Sequence, residues 1–156
     1  MARVDRRQLI MFLREADEAL AIARRIVEGY DIEEFMSNVE ARYALRYSLI
    51  LLVEAIADAV TLILEAHYGV APDSYRDAML LAGEKGVIPY DVARELAKLA
   101  SLRNILVHRY WRVDDERLYR ETRKGLESIV KALEALRGYA EASGSRGREE
   151  EEREAD

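Results

Sequence analysis

Between Gly29 and Gly69 the chain carries neither glycine nor proline, and the middle of that span, Leu49 to Val53 and Ala55 to Leu64, is apolar nearly all round. Such a segment reads as one long helix buried on more than one side. In a small bundle its second cover is expected to be another copy of the chain. Ser37 followed by Glu40 reads as a capping box that opens this helix, which should run to about His67 and stop at Gly69.

The rest of the chain follows the same period. Asp5 and Gln8 form a second capping-box pattern, after which Leu9, Leu13, Ala16, Leu20, Ala23 and Val27 recur at helical spacing until Gly29. Pro72-Asp73-Ser74 opens a short helix that Gly83 or Gly86 closes, and Pro89 suits the first turn of the next, which carries Val92, Leu96, Leu99, Leu106 and Val107. Asp114, Asp115 and Glu116 favour the start of a last helix, where negative charge suits the helix dipole. Leu118, Thr122, Leu126, Ile129, Leu133, Leu136 and Ala140 then step along it by three and four. No segment reads as a strand. The expected fold is all-α, an antiparallel bundle of about five helices over residues 1–142. The segment 143–156 holds six acids and three arginines, with little that could offset the entropy of ordering, and reads as a disordered charged tail.

Composition narrows the chemistry. With no cysteine there can be no disulfide, thiolate zinc site or thiol nucleophile. The opening residues run straight into an amphipathic pattern, which argues against a secretory signal. Glu54 and Asp58 interrupt the greasiest stretch, Ser48 to Leu64, and argue against a membrane span. A cytoplasmic location is expected. The formal charge is −6, but the tail carries −3 of it, and from Arg103 to Lys124 seven Arg/Lys face four Asp/Glu.

That local basic excess surrounds the most informative run, Ser101-Leu102-Arg103-Asn104-Ile105-Leu106-Val107-His108-Arg109-Tyr110-Trp111. Asn104 and His108 are four apart and share a helix face, and Arg103 and Tyr110, seven apart, nearly share another. One helix end thus offers a guanidinium, an imidazole, an amide and a phenol. These groups suit cleavage of a ribose–phosphate backbone, because RNA brings its own nucleophile in the 2′-hydroxyl. An imidazole can move the proton, and a guanidinium can fork onto phosphate oxygens. Neither role needs a metal, and the products would carry a 2′,3′-cyclic phosphate and a 5′-hydroxyl. The same residues have a plainer reading: His108 as a cation at a helix C-terminus, Arg103 paired with an acid on a neighbouring helix.

The run from Arg103 to Trp111, followed by Val113-Asp114-Asp115, resembles the HepT-type toxins of the HEPN ribonuclease superfamily. Arg42-Tyr43-Ala44-Leu45, Glu54-Ala55-Ile56-Ala57-Asp58, Ser74-Tyr75-Arg76 and Gly86-Val87-Ile88-Pro89 are similar to that family's upstream helix signatures. The resemblance spans about residues 5 to 140. It implies a HEPN-like homodimer in which Arg103 and His108 are the catalytic pair and Asn104 and Arg109 contact the RNA. It implies no cofactor or metal, and a partner, a minimal nucleotidyltransferase antitoxin, that transfers AMP from ATP onto Tyr110. Attached phosphates there would repel RNA and obstruct the cleft. The alternative is a catalytically silent HEPN-type module that serves only as partner or substrate of a nucleotidyltransferase.

Other residues read as structural. Glu54 and Asp58 are expected to pair with arginine, His67 to sit at a helix end, and Tyr43, Tyr47 and Tyr139 to pack in the core. Trp111 could stack on a base or pack at the hinge.

Overall fold

The computed structural model describes residues 3–155, the side chains at 145 and 146 excepted. The first two residues of the N-terminal segment and the last of the charged tail, both interpreted above from composition, lie outside the described residues. Among the described residues six α-helices follow one another: α1 (Arg6–Gly29), α2 (Ile32–Ser37), α3 (Val39–Tyr68), α4 (Tyr75–Glu84), α5 (Tyr90–His108) and α6 (Asp115–Ala155). A single 3₁₀ turn, Tyr110–Arg112, joins the last two.

The helix starts are set by side-chain caps. Asp5 accepts from the Gln8 amide at 3.1 Å, and Ser74 accepts from the Asp77 amide at 3.0 Å. The capping box assigned to Ser37 and Glu40 is corrected. Ser37 closes α2, its hydroxyl donating back to the Glu34 carbonyl at 3.0 Å, and Asn38 caps α3 by accepting from the Ala41 amide at 3.0 Å. The box that does form is Asp31 with Glu34, and it opens α2, a helix absent from the expected five. Only six residues long, α2 has too few turns for a periodic pattern to emerge; the fully buried Phe35 holds it in place. At the other end of α3, Gly69 takes the left-handed conformation (φ 63°) that stops the helix.

α3 is the axis of the bundle. Helices α1, α4, α5 and α6 all pack against it, and α1 with α6, α6 with α5, and α5 with α4 complete the wall. This chain's own helices bury Leu49, Leu52, Ile56, Val60 and Ile63, so the cover of these residues does not depend on the second copy expected from the sequence. What stays open is a strip between α1 and α4, on which Tyr43 and Tyr47 are exposed and Ile50, Leu51 and Glu54 half-buried. Tyr43 and Tyr47 are thus not core residues, whereas Tyr139 packs half-buried against the core.

α6 runs antiparallel to α1. Its Tyr119 hydroxyl donates to the carbonyls of Val27 at 3.1 Å and Tyr30 at 2.6 Å, Arg137 meets Asp17, and the Ala140 carbonyl accepts from Arg6 Nε at 3.0 Å. The helix then continues through the segment for which composition predicts disorder, as far as Ala155. Glutamate, arginine and alanine are good helix formers, and Arg3 forms an ion pair with Glu150.

Two glycines give opposite expectations for the same substitution. At Gly83 a Cβ would lie 2.5 Å from the Ala93 Cβ, where α4 crosses α5. Gly83→Ala should therefore lower the melting temperature, overpacking of about 1–3 kcal/mol outweighing a gain in helix propensity of up to about 1 kcal/mol. At Gly138, inside α6, a Cβ would meet nothing within 4 Å. Gly138→Ala should raise the melting temperature through propensity alone, and thermal denaturation of the two variants checks both signs.

Candidate active site

α5 ends at His108 without a glycine or proline to stop it. Arg109 leaves the helical region (φ −137°, ψ 44°), its amide still donating to the Ile105 carbonyl at 2.9 Å. Its own carbonyl accepts from the Arg112 amide at 2.8 Å, which closes the 3₁₀ turn. Asp114 then caps α6, accepting from the Arg117 amide at 3.1 Å. Tyr110 thus lies beyond the end of α5, and the expectation that it nearly shares a helix face with Arg103 is corrected.

The other helical pairing stands. Asn104 and His108 share one face and, with Ile105 and Arg109, line an open depression of about 330 Å³. His108 and Arg109 are exposed, so an amide, an imidazole and a guanidinium are presented together at the surface.

Arg103 points elsewhere. Its side chain is 11% exposed and forms an ion pair with Glu54 of α3. Its guanidinium sits 4.5 Å over the ring of Tyr75, at the start of α4. Nη1 donates to Asn104 Oδ1 at 3.3 Å, which is its link to the depression, while Nε is buried without a hydrogen-bond partner. The reading of Glu54 as the partner of an arginine holds, and that arginine belongs to the motif. Sequence reasoning did not find Tyr75 as its lid, since the cation–π contact exists only once α4 and α5 are packed. Asp58, one turn beyond Glu54, has no arginine at ion-pair distance among the described residues, which corrects the pairing expected for it. Its carboxyl is pushed up first by burial and then by repulsion from Glu54 and Glu15. Burial likewise pushes the Tyr75 phenol up, with Glu54 adding to the effect and Arg103 opposing it.

Tyr110 and Trp111 project from the 3₁₀ turn, each 67% exposed, their rings edge-on at 5.3 Å. Both side chains are therefore open to solvent. His67 occupies the last turn of α3, edge-on to Tyr139 at 5.7 Å and remote in sequence from the motif.

Asp115, which the sequence marks only as complementing the helix dipole, is the centre of a buried charge cluster. The first residue of α6, it has a side chain 5% exposed and accepts from Arg46 Nε at 2.7 Å, Arg46 Nη2 at 2.6 Å and Arg42 Nη1 at 3.2 Å. Burial works to raise its carboxyl, but the hydrogen bonds from Arg46 and Arg42 prevail and hold it below the usual carboxylate value of 3.8. The two arginines are four apart on α3, so the triad pins the end of the 109–114 connection to the bundle axis. The spacing of Arg42 and Arg46 was visible in sequence, but nothing there names Asp115 as their shared partner.

Residues 16–136 match the family model described as ribonuclease HepT-like. A candidate RNase of Archaeoglobus fulgidus is 37% identical over 70 residues, 45% of this chain and 52% of that protein, so the match spans about half the length of that relative. Among solved structures, a cytosolic protein of unknown function from Bacillus subtilis, YutE, superposes with a TM-score of 0.79 at 25% identity, covering 91% of this chain and 94% of that one. A tri-AMPylated HEPN toxin of Shewanella oneidensis, solved in complex with an MNT antitoxin, superposes with a TM-score of 0.74 at 19% identity, over 84% of this chain and 97% of that one. At that identity the likeness establishes the shared fold. No helix among the described residues is long and apolar enough to cross a membrane.

Proposed function

Because this chain belongs to the ribonuclease HepT-like family, we propose that it is a metal-independent RNA endonuclease and the toxin half of a toxin–antitoxin pair. The observation that carries this reading is the convergence of Asn104, His108 and Arg109 on one open depression, with the Arg103 guanidinium bonded to Asn104 beside it. The 2′-oxygen of the RNA attacks the adjacent phosphorus, and its proton passes to an imidazole. The bond to the 5′-oxygen breaks, and that oxygen takes a proton from an imidazolium. The products end in a 2′,3′-cyclic phosphate and a 5′-hydroxyl. His108 moves the proton. Arg103 stabilises the added negative charge, and Asn104 and Arg109 hold the phosphate.

One chain supplies one His108. A homodimer that joins two motifs in one cleft would supply a base and an acid together. The surface that fits such a contact is apolar and exposed: Met36, Val39, Tyr43 and Tyr47 on α2 and α3, with Val107, Tyr110 and Trp111 near the motif. The enzyme would act in the cytoplasm.

Regulation follows from the exposure of Tyr110. A nucleotidyltransferase partner would let the phenol oxygen attack the α-phosphorus of ATP, with pyrophosphate leaving and AMP retained on the ring. The added phosphate, with its nucleoside, would sit one residue from Arg109 and exclude RNA by repulsion and bulk. Tyr110→Phe is expected to cleave RNA yet escape silencing when the partner is present, with intact mass showing no gain of AMP. AMP added to the Phe variant would place the acceptor elsewhere.

Growth tests the toxin reading as a whole. Induction of the chain alone should arrest host cells and degrade their RNA, and co-expression of the nucleotidyltransferase should relieve both. Normal growth with intact RNA would favour the alternative, a silent HEPN-type module modified by its partner.

A further inference from the structure

α6 carries away from the motif a basic strip that the cleavage chemistry does not use. Arg112 on the 3₁₀ turn and Arg117, Arg120, Arg123 and Lys124 on α6 are all exposed. On an ideal helix Arg117, Arg120 and Lys124 fall within about 60° of one another and span about 10 Å of axis. Only Arg120 of these has a carboxylate at ion-pair distance among the described residues, Glu116, and both partners are exposed, so the pair holds the charge weakly. Of the nearby acids, Asp115 is turned inward onto Arg42 and Arg46, while Asp114, accepting from the Arg117 backbone amide, keeps its charge beside Arg112 and Arg117. The five cations between 112 and 124 thus stand against three acids that reach solvent, Asp114, Glu116 and the half-buried Glu121.

The cations border hollows that begin beside the candidate active site. The depression that holds His108 shares Ile105 with a smaller hollow bordered by Arg112 and Arg117. A third depression, of about 510 Å³, is bordered by Arg120, Arg123 and Lys124 and by one acid, Asp31, whose carboxylate accepts from the Glu34 amide. Among the described residues of α6 no large hydrophobic side chain is exposed, unlike the aromatic surface at Tyr43, Tyr47, Tyr110 and Trp111. Protein interfaces are centred on buried apolar or aromatic anchors, whereas a run of exposed cations without one matches a sugar–phosphate backbone.

We propose that Arg112, Arg117, Arg120, Arg123 and Lys124 form a phosphate track that holds the RNA to one side of the scissile bond. The inference rests on the RNA-cleaving reading and adds to it where the substrate runs. It also explains how a chain of net charge −6 engages a polyanion. Contact is local and governed by counterion release.

The test measures binding of a labelled single-stranded RNA by fluorescence anisotropy, in full-length protein carrying His108→Ala so that nothing is cut. The track variant combines Arg120→Gln, Arg123→Gln and Lys124→Gln. A matched control removes the same charge from exposed positions on α1 with Arg7→Gln, Arg14→Gln and Arg25→Gln. The track variant should bind roughly tenfold or more weakly, and its slope of log affinity against log salt should be shallower by about 2, at 0.7–0.9 per lost phosphate contact. The control should stay within about twofold. Equal losses in both variants, or an unchanged slope in the track variant, would overturn the proposal. So would intact RNA binding together with lost binding to the nucleotidyltransferase, which would assign the strip to a protein partner. If the chain with His108 intact cuts no RNA, the enzyme reading fails, while the binding comparison still decides the track.

Discussion

His108→Ala should cut the single-turnover rate of RNA cleavage by about 10²–10⁴-fold, the range expected when a general acid or base is removed. The fold should hardly notice. His108 is exposed at the last position of α5, and its side chain makes no hydrogen bond or ion pair among the described residues. The cost in stability is the loss of a group at the negative end of a helix dipole, about 0.3–1 kcal/mol, or at most some 2–4 °C in Tm for a chain of this size. The two readouts therefore separate. A silent variant with a near-parental melting curve assigns the loss to chemistry, and a variant that still cuts at the parental rate removes His108 from the mechanism. Arg103→Ala would be less clean, because it also strips Glu54 of its cation and leaves Tyr75 without its guanidinium.

Asp115→Ala should produce the largest loss of stability at a polar position. It removes the shared acceptor of Arg42 and Arg46 and leaves two clustered cations on α3 facing each other. Breaking a buried ion pair costs about 3–5 kcal/mol. The arginine side chains are about a quarter exposed, so the lower end applies, about 3 kcal/mol or some 6–12 °C in Tm. Activity should fall with it, because the 109–114 connection carrying Arg109 and Tyr110 loses its anchor at α6. The pH dependence has a definite sign. The folded-state value of Asp115 is depressed, so its contribution is present in full above the unfolded carboxylate value near 3.8. It is lost as pH falls through the lower folded value. Thermal melts of parent and variant should therefore lie far apart at neutral pH and converge under strong acid; a gap that is constant with pH would contradict the ion-pair account.

How much of this was legible depends on which force sets each feature. Helix starts at Asp5 and Ser74 and the stop at Gly69 were legible because capping and left-handed turns are local chemistry written in neighbouring residues. The same logic misplaced the start of α3 by one residue, since Ser37 and Asn38 are both competent caps and only the backbone decides between them. Alpha2 escaped because Phe35, which fixes it, draws its stability from Tyr119 far along the chain, their rings 5.0 Å apart. The all-round apolar character of α3 correctly signalled deep burial, but periodicity cannot tell a helix's own chain from a second copy. At the site, the sharing of a face by Asn104 and His108 followed from helical spacing, because both lie within α5. The location of Tyr110 did not, because α5 ends on a backbone turn at Arg109 that no glycine or proline announces. The partners of Arg103 and of Asp115 come from helices distant in sequence, and pairings of that kind are set by packing.

The most direct measurement of the central claim is incubation of total RNA with unmodified protein in excess EDTA, the chain having been expressed without a nucleotidyltransferase and its unmodified mass confirmed. Discrete fragments ending in a 2′,3′-cyclic phosphate and a 5′-hydroxyl are the expected result. RNA left intact in EDTA but cut on addition of a divalent metal, or fragments ending in a 3′-hydroxyl and a 5′-phosphate, would contradict it.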